Sequence, residues 1–358
     1  GQGFAANGLA IKNTYDTKTK SVIDNNSKIN TSEDVVLNSN STVNSNNWIV
    51  GVSGVGQGVS IVANVIINNL ISEVESSISD SNIINAGKII LNSNKDKKDR
   101  LNNYAISGSV AGEGVAASSN VIYNIYENDI TSKIYNTSVN KSGLIDVQSF
   151  SDRAIQNTNI GLSITGIGAD LLADAIVNQI GTDTIAFIDA KSETINTTGK
   201  LTVKAEDNTF SDNTMGFGVG AGLGAALGAN INLYYSDNLA RAEVLSDSSG
   251  QINSKTAEIT SKTTGGLDNT NVGVSAGLVG IAGDVVAIKL GKRLGYTDSE
   301  TKSGIKDAET RISSIYKDST EEGERNFRTD SSSRVETGAV SRVKGNLKSI
   351  DNIDIKAE

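Results

Sequence analysis

Gly273-Val274-Ser275-Ala276-Gly277 has the G-x-S-x-G spacing of a nucleophile elbow, in which a serine on a sharp turn attacks an acyl carbon. That chemistry needs a base to take the serine proton, most often histidine. The chain has no histidine among its 358 residues. Unless a lysine takes that part, Ser275 is an ordinary serine. Asp170 and Asp174 form a candidate carboxylate pair of the kind that hydrolyses glycosidic bonds. An acidic chain offers many such pairs, and solvated corner positions explain them as well. The glycines near Gly220 invite a phosphate-cradle reading, but the G-x-G-x-x-G register fails because the sixth position from Gly220 is Ala225. No Gly-Lys-Ser/Thr follows any glycine cluster. GIGADLLAD at Gly166 comes nearest to a calcium-binding nonapeptide and lacks its iteration. No catalytic, cofactor-binding or metal-ligating residue is therefore assigned, and no cofactor is expected.

Composition narrows what could position such residues. The chain has no cysteine and no proline, 36 glycines, 4 % aromatic and 37 % hydrophobic residues, and a net charge of −9. Without cysteine there are no disulfides or thiolate metal sites, which suits a chain exported unfolded into an oxidising space. The negative charge argues against nucleic acid as a partner. Proline is excluded from strands paired on both sides, so its absence points to segments that mostly have neighbours above and below. The apolar residues are chiefly Val, Ile, Ala and Leu, predicting a thin interior of small side chains. The opening GQGFAANGLA lacks a signal-peptide basic region, and the repeat described next is cut at both ends, predicting a piece of a longer protein.

A Gly-x-Gly element recurs at Gly1, Gly56, Gly112, Gly166 and Gly222, with a looser form at Gly277, at steps of 55, 56, 54, 56 and 55 residues. A second marker is a short strand late in each unit, whose central residues are Leu37, Leu91, Val147, Val203, Ile259 and Ile355. The middle steps of this series are 56 residues. Two markers with one period establish a repeat, with units near 1–55, 56–111, 112–165, 166–221, 222–276 and 277–358. The six marker residues are expected to stack as a core ladder.

The run Met215–Tyr235, MGFGVGAGLGAALGANINLYY, sits in a stretch of 24 uncharged residues, 213–236. Its apolar residues fall on odd positions and glycine on most even ones, a period of two that indicates strand. A membrane helix is opposed by glycine, which costs ~1 kcal/mol per position in a helix interior. A membrane role common to all units is opposed by Glu113, Asp170, Asp174 and Asp284 in the sister runs. A lipid-contacting β element at this run alone stays open.

The expected fold is all-β: a single parallel β-helix built from ~55-residue repeats, with Asn-rich corners and ladders of side-chain amides. Two or three coils per unit would make a rod roughly 55–85 Å long at ~4.8 Å per strand. The last unit carries about 40 extra residues, placed at 296–336, with ten acidic and seven basic residues. Ile305, Ala308, Ile312 and Ile315 have the spacing of one helix face. This insertion is expected to leave the rod, and loops on rigid solenoids commonly carry binding. Lys306, Arg311, Lys317, Arg325, Arg328 and Arg334, interleaved with carboxylates, are its candidate partner-binding residues.

The Gly/Ala runs, the Asn that follows them, and the stretch AFIDAKSETINTTGKLTVKA (186–205) resemble the passenger repeats of filamentous-haemagglutinin-type exoproteins of Gram-negative bacteria, most of all the leukotoxin-like members. The resemblance implies a right-handed β-helix, export through an outer-membrane transporter or a fused barrel, and a secreted or cell-surface location. It also implies adhesion, haemagglutination or leukocyte killing through a host surface protein or glycan. The expected role is that of a non-catalytic structural and binding segment. A membrane-active toxin module and a polysaccharide-cleaving β-helix enzyme are the alternatives.

Overall fold

The structure is a computed structural model that describes residues 2–221, 224–276, 279–290, 326–335 and 338–358. Side chains are described over the same ranges except at 2, 217–221, 273–276, 279, 289–290 and 326–335. The described residues form one large, mostly parallel sheet in which the connectivity repeats from unit to unit, as in a β-solenoid. Gln2–Ile23 pairs with Gln57–Ile78, Asn44–Ser79 with Arg100–Tyr135, and Asp99–Tyr135 with Arg153–Asp189. Each residue therefore lies beside the one a full repeat further on. The marker residues stack in that register: Leu37 on Leu91, then Val147, Val203, Ile259 and Ile355. The first five are buried, and Ile355, in the last layer, is 47 % exposed.

One consequence changes the expected dimensions. Each 55-residue unit lays down one layer, where two or three were considered, so six layers at ~4.8 Å make a stack about 24 Å tall. Each layer is correspondingly broad. In Asn44–Ser79 the chain runs outward, reverses at Gly56–Gly58 and returns. The two arms face each other: Ser60 Oγ donates to Ser53 Oγ (3.0 Å), and Asn47 Nδ2 donates to Asn68 Oδ1 (3.1 Å). The assembly is a broad slab with a compact head and a thin two-walled blade.

The head holds the aliphatic interior that composition predicts. Ile78, Ile83, Ile89 and Leu91 pack with their counterparts Ile134, Val139, Ile145 and Val147 from the next layer. Its corners use left-handed residues, with positive φ at Asn25, Asn26, Asp80 and Asn136, where a short polar side chain tolerates that conformation. The blade differs. Its inward positions read Ser60, Val62, Asn64, Ile66, Asn68 and Leu70, so thin aliphatic clusters alternate with polar layers.

The Gly-x-Gly elements at 56–58, 112–114 and 166–168 are blade tips. At Gly114, φ is +122° and an added Cβ would meet the carbonyl oxygen of Gly58 at 2.0 Å. The same clash with the preceding layer recurs at Gly58 and Gly168. Glycine is needed here for backbone stacking. Gly114→Ala is expected to lower stability by about 2 kcal/mol, from strained φ plus the displaced layer. A urea midpoint equal to that of the parent protein would refute this account of the motif.

The segment 296–336 lies partly within the description. Asn326–Val335 is a strand running antiparallel to Gly265–Val274, so these ten residues continue the sheet. Arg328 sits opposite Val272 and Arg334 opposite Gly266. The proposed helix face and Lys306, Arg311, Lys317 and Arg325 lie outside the described residues.

Candidate binding surface

Strict alternation decides what each wall of the blade shows to each side. Inward, two columns of asparagine interlock: Asn47, Asn103, Asn157, Asn213 and Asn269 on the outgoing arms, and Asn13, Asn68, Asn124 and Asn178 on the returning ones. Asn124 accepts from Asn68 Nδ2 (2.8 Å) and Asn103 Nδ2 (3.1 Å) and donates to Asn157 Oδ1 (3.0 Å) and Asn178 Oδ1 (2.7 Å). All four hydrogen-bonding positions of the amide are used. Nearer the tip a second column runs Asn64, Asn120, Asp174, Asn230 and Asp284.

This interior also holds buried charge. Arg153 Nη2 pairs with Asp207 Oδ2 (2.8 Å), and its guanidinium lies 4.9 Å above the Tyr126 ring, whose hydroxyl donates to Asp99. Burial pushes the Asp207 carboxyl upward against the pull of Arg153. Asp174, 1 % exposed, accepts from the Asn120 N–H (2.8 Å), and burial raises its carboxyl to about 7. Asp170 accepts from Thr165 Oγ1 and Ser163 Oγ and is also buried. The two carboxylates considered as a glycosidic pair thus face the inside of the blade, where a polymer chain has no access. The reason is the alternation itself, which sends both even-numbered positions inward. Ser275 belongs to a continuous strand, Gln251–Ala276, whose extended backbone has none of the strand-to-helix turn of a nucleophile elbow. Among the described residues, no group of three or more His, Cys, Asp or Glu is placed to hold a metal ion.

The outward side is apolar. Ile61, Ala117, Leu171, Leu227 and Ile281 form one row across five layers and line a shallow groove. Leu171, Leu227 and Ile281 are 41 %, 43 % and 59 % exposed. A parallel row holds Val65, Val121, Ala175, Ile231 and Val285. The opposite wall shows Val50, Ile106 and Ile160. The odd-numbered apolar residues at 225–235 therefore point to the surface, while Asn230, Asn232 and Tyr234 are buried. In this part of the blade the arrangement departs from the small aliphatic interior expected from composition, which the head retains. Sequence reading does not single out the Ile61–Ile281 row, although its spacing of 56, 54, 56 and 54 residues is the repeat itself.

Charges return at the base of the blade. A groove there is lined by Asp16, Glu73, Glu127, Asp129, Asp183 and Asp237. Lys20 and Lys133 hold Glu75 beside it at 2.6 and 2.8 Å. Burial alone would raise the Glu75 carboxyl, but hydrogen bonds from Lys133, Lys20 and Ser77 bring it down to about 2. The arrangement offers an extended apolar contact face bounded by a charged rim, larger and more continuous than scattered surface apolar residues provide.

Comparison of the chain with family models, with curated proteins and with solved structures gave no match, so the reading of function rests on this surface and on the sequence resemblance.

Proposed function

We propose that this protein is a structural and binding segment of a secreted or surface-displayed bacterial exoprotein. It is a right-handed parallel β-helix that presents contact surfaces to host cells and carries no catalytic step. The observation that supports this most is the in-register outer face of the blade, where each layer adds a similar apolar residue to the same row. Repeated, similar contacts on one rigid body favour multivalent attachment, in which each further contact forms at high effective concentration. Export through an outer-membrane transporter and a host surface protein or glycan as partner follow from the resemblance to haemagglutinin-type passengers.

Binding of labelled protein to host cells tests the reading. Leu171→Lys combined with Leu227→Lys should lower cell binding at least tenfold, with the far-UV β signal unchanged. Val36→Lys, on the outward side of the head, should leave binding intact. Equal binding by all three proteins would remove the blade face from the function.

A further inference from the structure

We propose that the partner of this outer face is a zwitterionic phospholipid bilayer, entered by the distal part of the blade. The inference rests on the binding-surface reading and names the chemistry of the partner. It starts from the segregation of polarity. From the tip to the row of Ile67, Tyr123 and Val177, the outward positions of the return arms between Val59 and Leu233 carry no charge. Of the four acids that count against a lipid role in a linear reading, Asp170, Asp174 and Asp284 sit on the inward side, in or near the amide columns, and Glu113 stands exposed at the tip. The acids and amides of these arms lie within, among thin aliphatic clusters, while the outward positions are mostly aliphatic, apart from Lys12 of the first layer, in the row of Ile67.

Both walls change character at the same depth. On one, Trp48 stacks on Tyr104 with ring centroids 4.1 Å apart, and Trp48 is 57 % exposed. On the other stand Tyr123 and, one row further, Tyr235. The hydrogen bond from Asn103 to Asn124 (3.1 Å) fixes the neighbouring Tyr104 and Tyr123 at one level across the blade. Tryptophan and tyrosine at the border between apolar and charged zones are what a membrane–water interface selects. Beyond them toward the base come Glu127 and Asp237.

Length agrees. Tyr123 to Gly114 is nine residues, about 30 Å of extended chain and close to the thickness of a bilayer's hydrocarbon core. At the far end lies a small polar tip, where Gln57 Nε2 donates to Glu113 Oε2 (2.8 Å). Backbone N–H and C=O groups of the inner layers are already paired above and below, which is the condition for a strand to enter lipid. A second copy of the chain would cover one wall only, whereas lipid covers both. The acidic rim and the net charge of −9 select zwitterionic over anionic headgroups.

Trp48, the single tryptophan, is the probe. The intact 358-residue chain is mixed with protein-free phosphatidylcholine vesicles carrying bromine either near the headgroups or deep in the acyl chains. The expected result is a blue shift with stronger quenching by the shallow bromine. Leu171→Lys with Leu227→Lys should reduce vesicle partitioning at least tenfold, and adding anionic phosphatidylserine should weaken it. No quenching by a protein that still binds cells through the blade face would overturn the lipid proposal and leave the surface reading standing. A dimer that those lysines dissociate, with vesicles unbound, would overturn it in favour of self-association. The quenching of the unaltered protein decides the matter even if the variants fail to fold.

Discussion

Asn124→Ala is expected to lower the stability of the stack by roughly 3–5 kcal/mol, because it strands buried partners that no water can reach. The side chain makes four hydrogen bonds to asparagines in its own and both adjoining layers. In isolation a protein hydrogen bond contributes only ~1 kcal/mol net, since water is the competitor. The larger figure comes from the donors and acceptors left unmatched on Asn68, Asn103, Asn157 and Asn178, each nearly inaccessible to solvent. Ile122→Val, in the adjoining aliphatic cluster, removes one methyl group and should cost only about 1 kcal/mol. Urea unfolding monitored by the β signal compares the two. If Asn124→Ala costs no more than Ile122→Val, the amide columns are not what holds the two walls of the blade together.

A change in the opposite direction is expected at Asp174. Its column is otherwise Asn64, Asn120 and Asn230 until Asp284, and there Asp174 Oδ2 and Asn230 Oδ1 are both buried without a hydrogen-bond donor. Two acceptors meet where the Asn64–Asn120 step has a donor, Asn64 Nδ2, reaching Asn120 Oδ1 at 3.0 Å. Asp174→Asn supplies that donor and removes the buried charge. Burial first, opposed by hydrogen bonds from Asn120 and Gly161, raises the carboxyl from 3.8 to about 7. That corresponds to ~4 kcal/mol of destabilisation once the group ionises.

The sign follows from proton counting. Between pH 4 and 7 the folded chain holds a proton at Asp174 that the unfolded chain has released, so this site's contribution to stability falls as pH rises through that interval. Asp174→Asn should therefore stabilise the protein by up to about 4 kcal/mol at pH 8 and much less at pH 4. Denaturation midpoints of the two proteins at pH 4 and pH 8 check this. A difference that does not change with pH would mean that Asp174 is ionised, or neutral, throughout.

Particular residues show how far the sequence reaches. The 55-residue period set the register: Leu37, Leu91, Val147, Val203 and Ile259 recur at fixed spacing and stack on one another, because a repeat can satisfy its backbone groups against its own copies. Alternation in AALGANINLYY (225–235) likewise determined strand. Neither could state how many layers one unit makes, which depends on where a long strand folds back, and the Gly-x-Gly tip becomes legible only beside the preceding layer's carbonyl.

Which side of the alternation is inside was decided by tertiary structure alone. Read one unit at a time, Leu227 and Ile231 belong in a core and Asn230 and Asn232 outside it. Stacked, Asn232 accepts from Asn213 and donates to Asn269 across the blade, Asn230 donates to Asp284 in the next layer, and this pairing makes burial tolerable. The sequence by itself thus determined period, strand and stacking partners. In the blade, amides inward and aliphatic residues outward came from hydrogen bonds between layers and across the two arms of a layer, which form only once the chain has folded back and stacked.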